Sequence, residues 1–170
     1  MTKQQHVFRR TVIALGAGAS FSLAELLVAR AARAQKPESP KAQSVVALVD
    51  EAVALVGSPA GKAAFNNFRI RGSEWFTGDT YIFIIDLNGN QLFSAVFPES
   101  DGKSIIDSTD KSGKAIIRAF IAVAEKQGAG WVDYMWPKPG TDTPVKKWSY
   151  VKRVDVDGTP ALLGAGFYPD

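Results

Sequence analysis

The sequence predicts an α+β domain in which an antiparallel sheet of about five strands packs against N-terminal helices. Three observations carry this prediction. Apolar residues recur every three or four positions over residues 44–56, which is the period of a helix. From Thr80 the apolar period becomes two, which is the period of a strand. The last three predicted strands have short connections, which favour antiparallel pairing with the helices on one face.

Two helices have well-marked ends. The first covers residues 44–56, and Gly57 follows its last apolar position as a C-terminal glycine. Another covers residues 114–127, where isoleucine, phenylalanine and alanine form an apolar face and Gly128 ends the pattern.

A further helix is predicted directly after the first. Ser58 suits the N-cap and Pro59 the first helical position, where its missing N–H has no consequence. Phe65 and Phe68 would anchor this helix in the core.

The strand predictions rest on alternation and on turn residues. Residues 81–86 are rich in aromatic and β-branched side chains, and residues 91–97 form their partner strand. Asn88 and Gly89 between them favour a hairpin, because both tolerate a positive φ. Three more strands are predicted, with Asp157-Gly158 as the turn between the last two: residues 130–136, 146–154 and 161–167.

The N-terminus is typical of an export signal. Residues 1–34 combine a basic start, a weakly apolar middle and a small-x-small site before Gln35. The adjacent Arg9 and Arg10 favour the twin-arginine route over the general secretory route. Glu25 argues against an uncleaved membrane anchor, since a span needs about 20 mostly apolar residues. We therefore expect a periplasmic or secreted protein with no membrane span after cleavage.

Three segments follow from this signal. Residues 1–34 are the signal peptide, residues 35–43 a flexible tether with two prolines, and residues 44–170 a single domain. The signal holds five basic residues and one acid, whereas the whole chain has a net charge of +3, so the remainder has a net charge of −1. The high isoelectric point thus belongs to the signal, and a nucleic-acid partner is not expected.

The residue types that support most enzyme chemistry are missing. The chain has no cysteine, and its one histidine, His6, lies in the signal. This removes thiolate catalysis, Ser-His pairs and His- or Cys-ligated metals. Asp86 begins a stretch similar to a calcium loop. The bidentate Glu that such a loop needs is absent, because position 97 is Phe97, so the hairpin turn explains the stretch. We expect no cofactor, no metal and no enzymatic activity.

The stretch most informative about function is aromatic. Residues 130–136 carry Trp131, Tyr134 and Trp136, and the next strand begins with two lysines before a Trp and a Tyr. Apolar walls with hydroxyl and indole donors and a lysine would suit a small organic anion. The same aromatics would equally suit a core, and the lysines a solvated strand edge.

These residues carry a resemblance to the single Cache family, whose members are PAS-like extracellular sensor domains. The similarity covers residues 44–170 and rests on six segments in the family's order: residues 78–89, 101–105, 109–114, 130–139, 147–151 and 164–168. The resemblance implies a long N-terminal helix against an antiparallel sheet, with a ligand pocket between the sheet and its loops.

The family also implies a function and a site. Its members sense small molecules, often small carboxylates, outside the cell. Transferred to this chain, the pocket residues are Tyr81, Phe83, Tyr134, Trp136, Lys147 and Tyr150. Lys147 would neutralise a carboxylate, and the Tyr hydroxyls and the Trp136 N–H would donate hydrogen bonds.

Two departures from the family keep an alternative open. A histidine common in relatives after the second strand is missing from residues 93–98, and no output module follows Tyr168. We therefore expect an exported sensor domain that binds a small organic anion and acts through a separate partner, such as a membrane receptor or kinase. The alternative is a structural or protein-interaction domain with a non-functional pocket.

Overall fold

The computed structural model describes residues 37–169, so the predicted signal peptide lies outside the described residues. The described chain forms one six-stranded antiparallel sheet with helices. The helices are α1 (Pro40–Val56), α2 (Phe65–Phe68) and α3 (Ile116–Gln127), with short 3₁₀ turns at Gly61–Ala64 and Pro98–Ser100. The strands are β1 (Phe76–Thr77), β2 (Thr80–Asp86), β3 (Gln91–Ser94), β4 (Ala129–Pro137), β5 (Pro144–Val156) and β6 (Thr159–Phe167).

The sheet order is β1-β2-β6-β5-β4, and β3 also pairs with β2. The last strand, β6, therefore lies at the centre beside β2, where Phe83 of β2 is opposite Gly164 of β6. On the other side of β6, Gly164 lies opposite Val151 of β5. This register places residues from three strands side by side on one surface.

Helix α1 begins earlier than the sequence predicted. The side chain of Ser39 accepts a hydrogen bond from the Ala42 N–H at 3.1 Å, and Pro40 occupies the first turn. Residues 40–43, which were expected in the tether, are thus helical. Ser39 and Pro40 form the same Ser-Pro cap signal as Ser58 and Pro59.

The helix predicted from Ser58 is broken into pieces. Ser58 does cap a turn, since its Oγ accepts from the Ala60 N–H at 3.1 Å. Gly61 then adopts a φ of +46°, which interrupts an α-helix, and only the single turn of α2 follows. Phe68 is fully buried as expected, whereas Phe65 is half-buried.

The β2–β3 hairpin forms where predicted but with a different turn. Only Gly89 has a positive φ, of +87°, and Asn88 does not. The Asp86 carboxylate accepts from the N–H groups of Asn88 and Asn90 at 2.9 and 2.8 Å, and from the Asn90 side chain. These bonds occupy Asp86 within the turn, which confirms the hairpin interpretation of this stretch.

The sheet separates two apolar clusters, because alternate residues of each strand face opposite sides. Ile82 and Ile84 face α1, whereas Tyr81, Phe83 and Ile85 face α3. The expectation that all helices lie on one face is therefore wrong. Helix α3 needs the second face because its own apolar stripe would otherwise be exposed.

Neither a membrane span nor a metal cluster was found between residues 37 and 169. No helix there is long and apolar enough to cross a bilayer. No group of three or more Asp, Glu, His or Cys side chains in that range is arranged to hold a metal ion.

Candidate functional site

A cavity of about 230 Å³ lies on the α3 side of the sheet. Strands β2 and β4 form its base, α3 forms one wall, and the segment between β3 and α3 covers it. Most of its wall is aromatic or aliphatic: Tyr81, Phe83, Phe97, Phe120, Tyr134 and Trp136, with isoleucines 85, 105, 116 and 117. Its polar wall consists of Gln91, Ser94, Ser100 and Ser108.

The aromatic rings hold one another in place. Phe83 stacks on Phe120 with 5.4 Å between centroids, and Phe120 meets Tyr134 edge-on at 5.4 Å. Trp136 contacts both Tyr134 at 5.8 Å and Phe97 at 5.9 Å. Such edge and offset contacts stabilise a rigid wall beyond simple burial.

Lys147 is fully buried beside this wall. The residue is 0% exposed, and its Nζ is enclosed and has no hydrogen-bond partner among the described residues. Its ammonium lies 4.0 Å from the ring centroid of Tyr81 and 5.2 Å from that of Tyr168. The residue opposite Lys147 on the adjacent strand β4 is Tyr134. Lys147 does not line the cavity itself but lies behind Tyr81, which does.

Gly166 makes room for this lysine. A Cβ at Gly166 would lie 2.3 Å from the Ser149 Oγ and 2.8 Å from the Lys147 Cε, both too close. Gly164 does the same for Phe83, whose Cζ would be 2.5 Å away. The two glycines of β6 therefore let a long side chain and an aromatic ring lie flat across the strand.

The tyrosine hydroxyls at this end are neutral donors. Burial raises the pKa of Tyr81 and of Tyr134 far above the ordinary value for tyrosine. Burial, and then the nearby Tyr81 and Asp79, raise the pKa of Tyr168 in the same direction. The Tyr134 hydroxyl shares a hydrogen bond of 2.9 Å with the Ser149 hydroxyl.

Burial shifts the pKa of Lys147 in the opposite direction to that of the tyrosines. Burial lowers the pKa of Lys147 to about 7, and the more distant charge of Asp79 only partly opposes this. Asp79 is itself paired with Lys138 at 3.3 Å. Of the groups near Lys147, the lysine alone changes charge near neutral pH, because the tyrosines stay protonated there.

Two predicted pocket residues do not line the cavity: Lys147, which lies behind Tyr81 on the same face, and Tyr150, which lies elsewhere. Tyr150 occupies the opposite face of the sheet, where it packs on Trp131 with 5.3 Å between centroids. Because β5 alternates, Lys147 and Tyr150 cannot face the same side. Tyr81, Phe83, Tyr134 and Trp136 do line the cavity together.

Sequence reasoning missed several residues of the site. The position of Ser149 could be predicted from the alternation of β5, since it lies two positions after Lys147 and therefore on the same face. Tyr168 lies two positions after Gly166, and its hydroxyl donates to the Pro137 carbonyl at 2.6 Å. No pattern in the sequence marks Gln91, Ser94, Ser100 or Ser108, because loop geometry brings them to the cavity.

Two carboxylates fix the covering segment. Asp110 accepts from the N–H groups of Ser112, Lys114 and Met135, which ties the segment to β4. The Ser112 hydroxyl, and then the Met135 N–H, hold the pKa of Asp110 far below its usual range. Asp101 accepts from the Ser94 N–H at 2.9 Å and from the Arg69 guanidinium at 2.5 Å.

The comparison with known families fits this geometry. The family model dCache_2, described as "Cache domain", matches residues 69–170. The chain belongs to the Cache domain family. The predicted family and the predicted PAS-like α+β fold are thereby confirmed, with six strands in place of about five.

Similar proteins are chemotaxis sensors. The Cache domain is 35% identical over 92 residues to the methyl-accepting chemotaxis protein McpP of Pseudomonas putida, a match over 54% of this chain and 16% of that protein. The chain thus corresponds to a small part of that relative's length.

Solved structures with the same fold include two sensor domains. One, a "Periplasmic sensor domain of chemotaxis protein", is 27% identical, with a TM-score of 0.59 over 85% of this chain and 99% of the other. The second is described as "Structural basis for carboxylic acid recognition by a Cache chemosensory domain" and is 25% identical, with a TM-score of 0.60 over 88% and 100%. These relatives are described as sensors and not as enzymes.

Proposed function

We propose that this Cache domain is an exported sensor that binds a small carboxylate in the cavity between β2, β4 and α3. The observation that carries the proposal is the buried ammonium of Lys147, which has no hydrogen-bond acceptor among the described residues and lies behind the tyrosine end of the cavity. The related Cache structure described for carboxylic acid recognition supports this ligand class.

An unpaired buried ammonium destabilises a fold, because it loses its hydration and gains no compensating charge. The ring faces of Tyr81 and Tyr168 compensate for this only in part. A carboxylate at this end would supply the missing charge. Tyr81, Tyr134 and Trp136 belong to the wall there, and hydroxyl and indole N–H groups are donors suited to carboxylate oxygens. The Tyr134 hydroxyl now shares its hydrogen bond with Ser149, and the Tyr81 hydroxyl bonds with Trp136 and Tyr168, so a carboxylate would replace some of these partners.

The size of the cavity limits the ligand. At roughly 30 Å³ for each water, the 230 Å³ of the cavity would hold about seven or eight waters or a molecule of similar size. Ligands of drug size generally occupy cavities of about 300–1,000 Å³. A short-chain carboxylate with an apolar body fits the aromatic walls, whereas a nucleotide is too large.

We further propose that the domain works outside the cytoplasm and reports to a membrane receptor or kinase. The chemotaxis proteins among its relatives and the signal-like residues 1–34 support this part. Fractionation of cells that express the full chain tests the location. Recovery of an uncleaved protein in the cytoplasm would contradict it.

The binding proposal is tested by calorimetric titration of the purified protein with acetate, propionate, butyrate and pentanoate. At least one should bind, and Lys147→Met should weaken its affinity tenfold or more, since a hydrogen bond to a charged group contributes about 1.5–3 kcal/mol. Lys103→Met, at an exposed lysine with no side-chain partner among the described residues, should leave affinity unchanged.

The alternative is an interaction domain with a non-functional pocket. The enclosed position of the Lys147 Nζ favours it, since a ligand would have to displace the Tyr81 ring to touch the ammonium directly. Absence of binding of any short carboxylate to the folded wild-type protein would support this alternative and overturn the carboxylate proposal.

A further inference from the structure

The end of the cavity away from Lys147 is lined by neutral polar groups. Across the hairpin, Phe83 lies opposite Ser94 and Ile85 opposite Gln91. Tyr81 and Ile85 are four residues apart on β2, which corresponds to roughly 13 Å at about 3.3 Å per residue. The cavity therefore extends from the tyrosine end toward Gln91, a distance that acetate or propionate would not span.

The hydrogen bonds of Gln91 fix the orientation of its amide. Its Nε2 donates to the Phe97 carbonyl at 2.9 Å and to the Asp101 carboxylate at 3.0 Å. Both partners are acceptors, so the nitrogen must face them and the oxygen must face the other way. Across residues 37–169, no donor reaches the Gln91 Oε1, which leaves an unused acceptor on a side chain that is 7% exposed.

Two serines provide the complementary donors. The Ser94 Oγ accepts from the N–H groups of Val96 and Phe97, at 3.3 and 3.0 Å, so its own proton has no acceptor in the described chain. The Ser100 hydroxyl, which also lines the cavity, has no hydrogen bond there either. Both serines would therefore gain a hydrogen bond from a ligand that offers an acceptor.

No free positive charge accompanies these groups. Arg69 is bound to the Ser94 carbonyl at 3.0 Å and to the Asp101 carboxylate at 2.5 Å. The Asp101 charge would repel a second carboxylate. This end of the cavity therefore suits a neutral group that both donates and accepts a hydrogen bond.

We infer that Gln91, Ser94 and Ser100 form a second subsite, which binds a hydroxyl or carboxamide at the far end of the carboxylate ligand. The inference rests on the proposed function, because it presupposes a carboxylate at the tyrosine end. An extended chain of about four to six carbons spans roughly 4–6 Å, and the terminal C–O bonds with a hydrogen bond of about 3 Å at each end bring the total close to the separation of the two ends. The ligand class is thus a short ω-hydroxy or ω-amido carboxylate.

The test compares three ligands of equal chain length by calorimetric titration: 5-hydroxypentanoate, pentanoate and glutarate. The hydroxyl should gain two hydrogen bonds of about 1 kcal/mol each, so 5-hydroxypentanoate should bind about thirtyfold more tightly than pentanoate. Glutarate should bind more weakly than 5-hydroxypentanoate, because its second carboxylate has no cation to pair with.

The ratio of the affinity for 5-hydroxypentanoate to the affinity for pentanoate, measured in each variant, then identifies the residues that bind the hydroxyl. Ser100→Ala and Gln91→Met each remove one of the two hydrogen bonds, so each should lower the ratio about fivefold. Ser104→Ala is the matched control, since Ser104 is in the same segment but exposed and outside the cavity wall. A ratio measured within one variant is insensitive to a general loss of stability, which Gln91→Met will also cause.

The outcomes separate the two proposals. If pentanoate binds as tightly as 5-hydroxypentanoate and Lys147→Met removes both, the subsite is overturned and the carboxylate proposal stands. The same holds if glutarate binds most tightly, or if Ser100→Ala and Ser104→Ala behave alike. If none of the three ligands binds but acetate, propionate or butyrate does, the subsite alone is overturned. If no carboxylate binds, both proposals are overturned.

Discussion

Lys147 occupies a strand position at which alternation would place an apolar side chain. Its neighbours on the same face of β5, Ser149 and Val151, are fully buried, and Gly166 on β6 leaves the space that its aliphatic stem fills. The charged end then lies against two aromatic faces with no acceptor. A residue held in this way lowers the stability of the empty domain and is suited to meet an anion.

Lys147→Met should therefore stabilise the ligand-free protein. Burial lowers the pKa of Lys147 from 10.5 to about 7, so between these values the unfolded state binds more protons and the free energy of unfolding rises with pH. Below pH 7 the full penalty is present. The variant should be more stable by a few kcal/mol at pH 6, at about 1.4 kcal/mol per pKa unit, and the difference should shrink toward pH 9.5.

Chemical denaturation at pH 6, 8 and 9.5 measures this difference. Lys103→Met serves as the control and should show no such trend, because Lys103 is exposed. A Lys147→Met variant that is less stable than the wild type at pH 6 would show that the ammonium has a partner.

Carboxylate affinity should fall as the pH rises above 7. The bound anion favours the charged lysine, so binding raises the pKa of Lys147 and takes up a proton when the empty site is neutral. The dissociation constant should rise by up to about tenfold per pH unit until the raised pKa is reached. Titration calorimetry from pH 6 to 9, in two buffers with different heats of ionisation, detects both effects. An affinity that is constant over this range would contradict the role assigned to Lys147.

The segment between β3 and α3 contains only a short 3₁₀ turn and is held in place by hydrogen bonds to a side chain. Asp110 is 8% exposed and accepts hydrogen bonds from the N–H groups of Ser112 and Lys114 in the loop and of Met135 on β4. Its neighbours in sequence, Ser108 and Ile116, line the cavity. The carboxylate of Asp110 therefore positions the wall and does not contact the ligand.

Asp110→Asn should lower the melting temperature at pH 7, because an amide nitrogen cannot accept the hydrogen bonds that one carboxylate oxygen accepts. The hydrogen bonds depress the pKa of Asp110, so its stabilising effect is present above the unfolded value of about 3.9 and is lost as the pH falls below it. The difference between wild type and variant should thus narrow below pH 4.

Thermal unfolding at pH 7, 5 and 3 tests this prediction. Asp107→Asn is the matched control in the same loop, since the Asp107 side chain is 83% exposed and pairs only with the exposed Arg118 among the described residues. Equal effects of the two substitutions would show that Asp110 is no more important than a surface carboxylate.

The sheet divides the whole molecule into a structural face and a ligand face. On the α1 side, Val49 and Ala52 are fully buried against β5 and β6. The α3 side keeps an open cavity beside Phe120. Stability and binding should therefore respond differently to substitutions on the two faces.

Val49→Ala should destabilise the protein by about 2 kcal/mol through the cavity it leaves, with no change in carboxylate affinity. Phe120→Leu should weaken affinity at least threefold as well as lower stability, because the Phe120 ring both lines the cavity and supports Phe83 and Tyr134. Denaturation curves and titrations of both variants provide the measurement. A loss of affinity in Val49→Ala that matches the loss in Phe120→Leu would show that the two faces are coupled.

The sequence by itself determined the strands, the long helices and most of the aromatic wall. Periods of two and 3.6 are local properties, so β4, β5, β6 and α3 could be predicted within a few residues. The same alternation, applied strictly to β5, would have separated Tyr150 from Lys147 and added Ser149. The information that places Tyr150 on the opposite face is therefore present in the sequence.

Only the tertiary structure decided what surrounds these strands. Strand β2 pairs with β1, β3 and β6, and no local pattern specifies that pairing. Its two faces are covered by α1 and α3. The isolation of the Lys147 ammonium and the free acceptor of Gln91 depend on groups that are distant in sequence. A hydrogen bond that is not made is a property of the packed molecule, and it can be recognised only when every neighbour is in place.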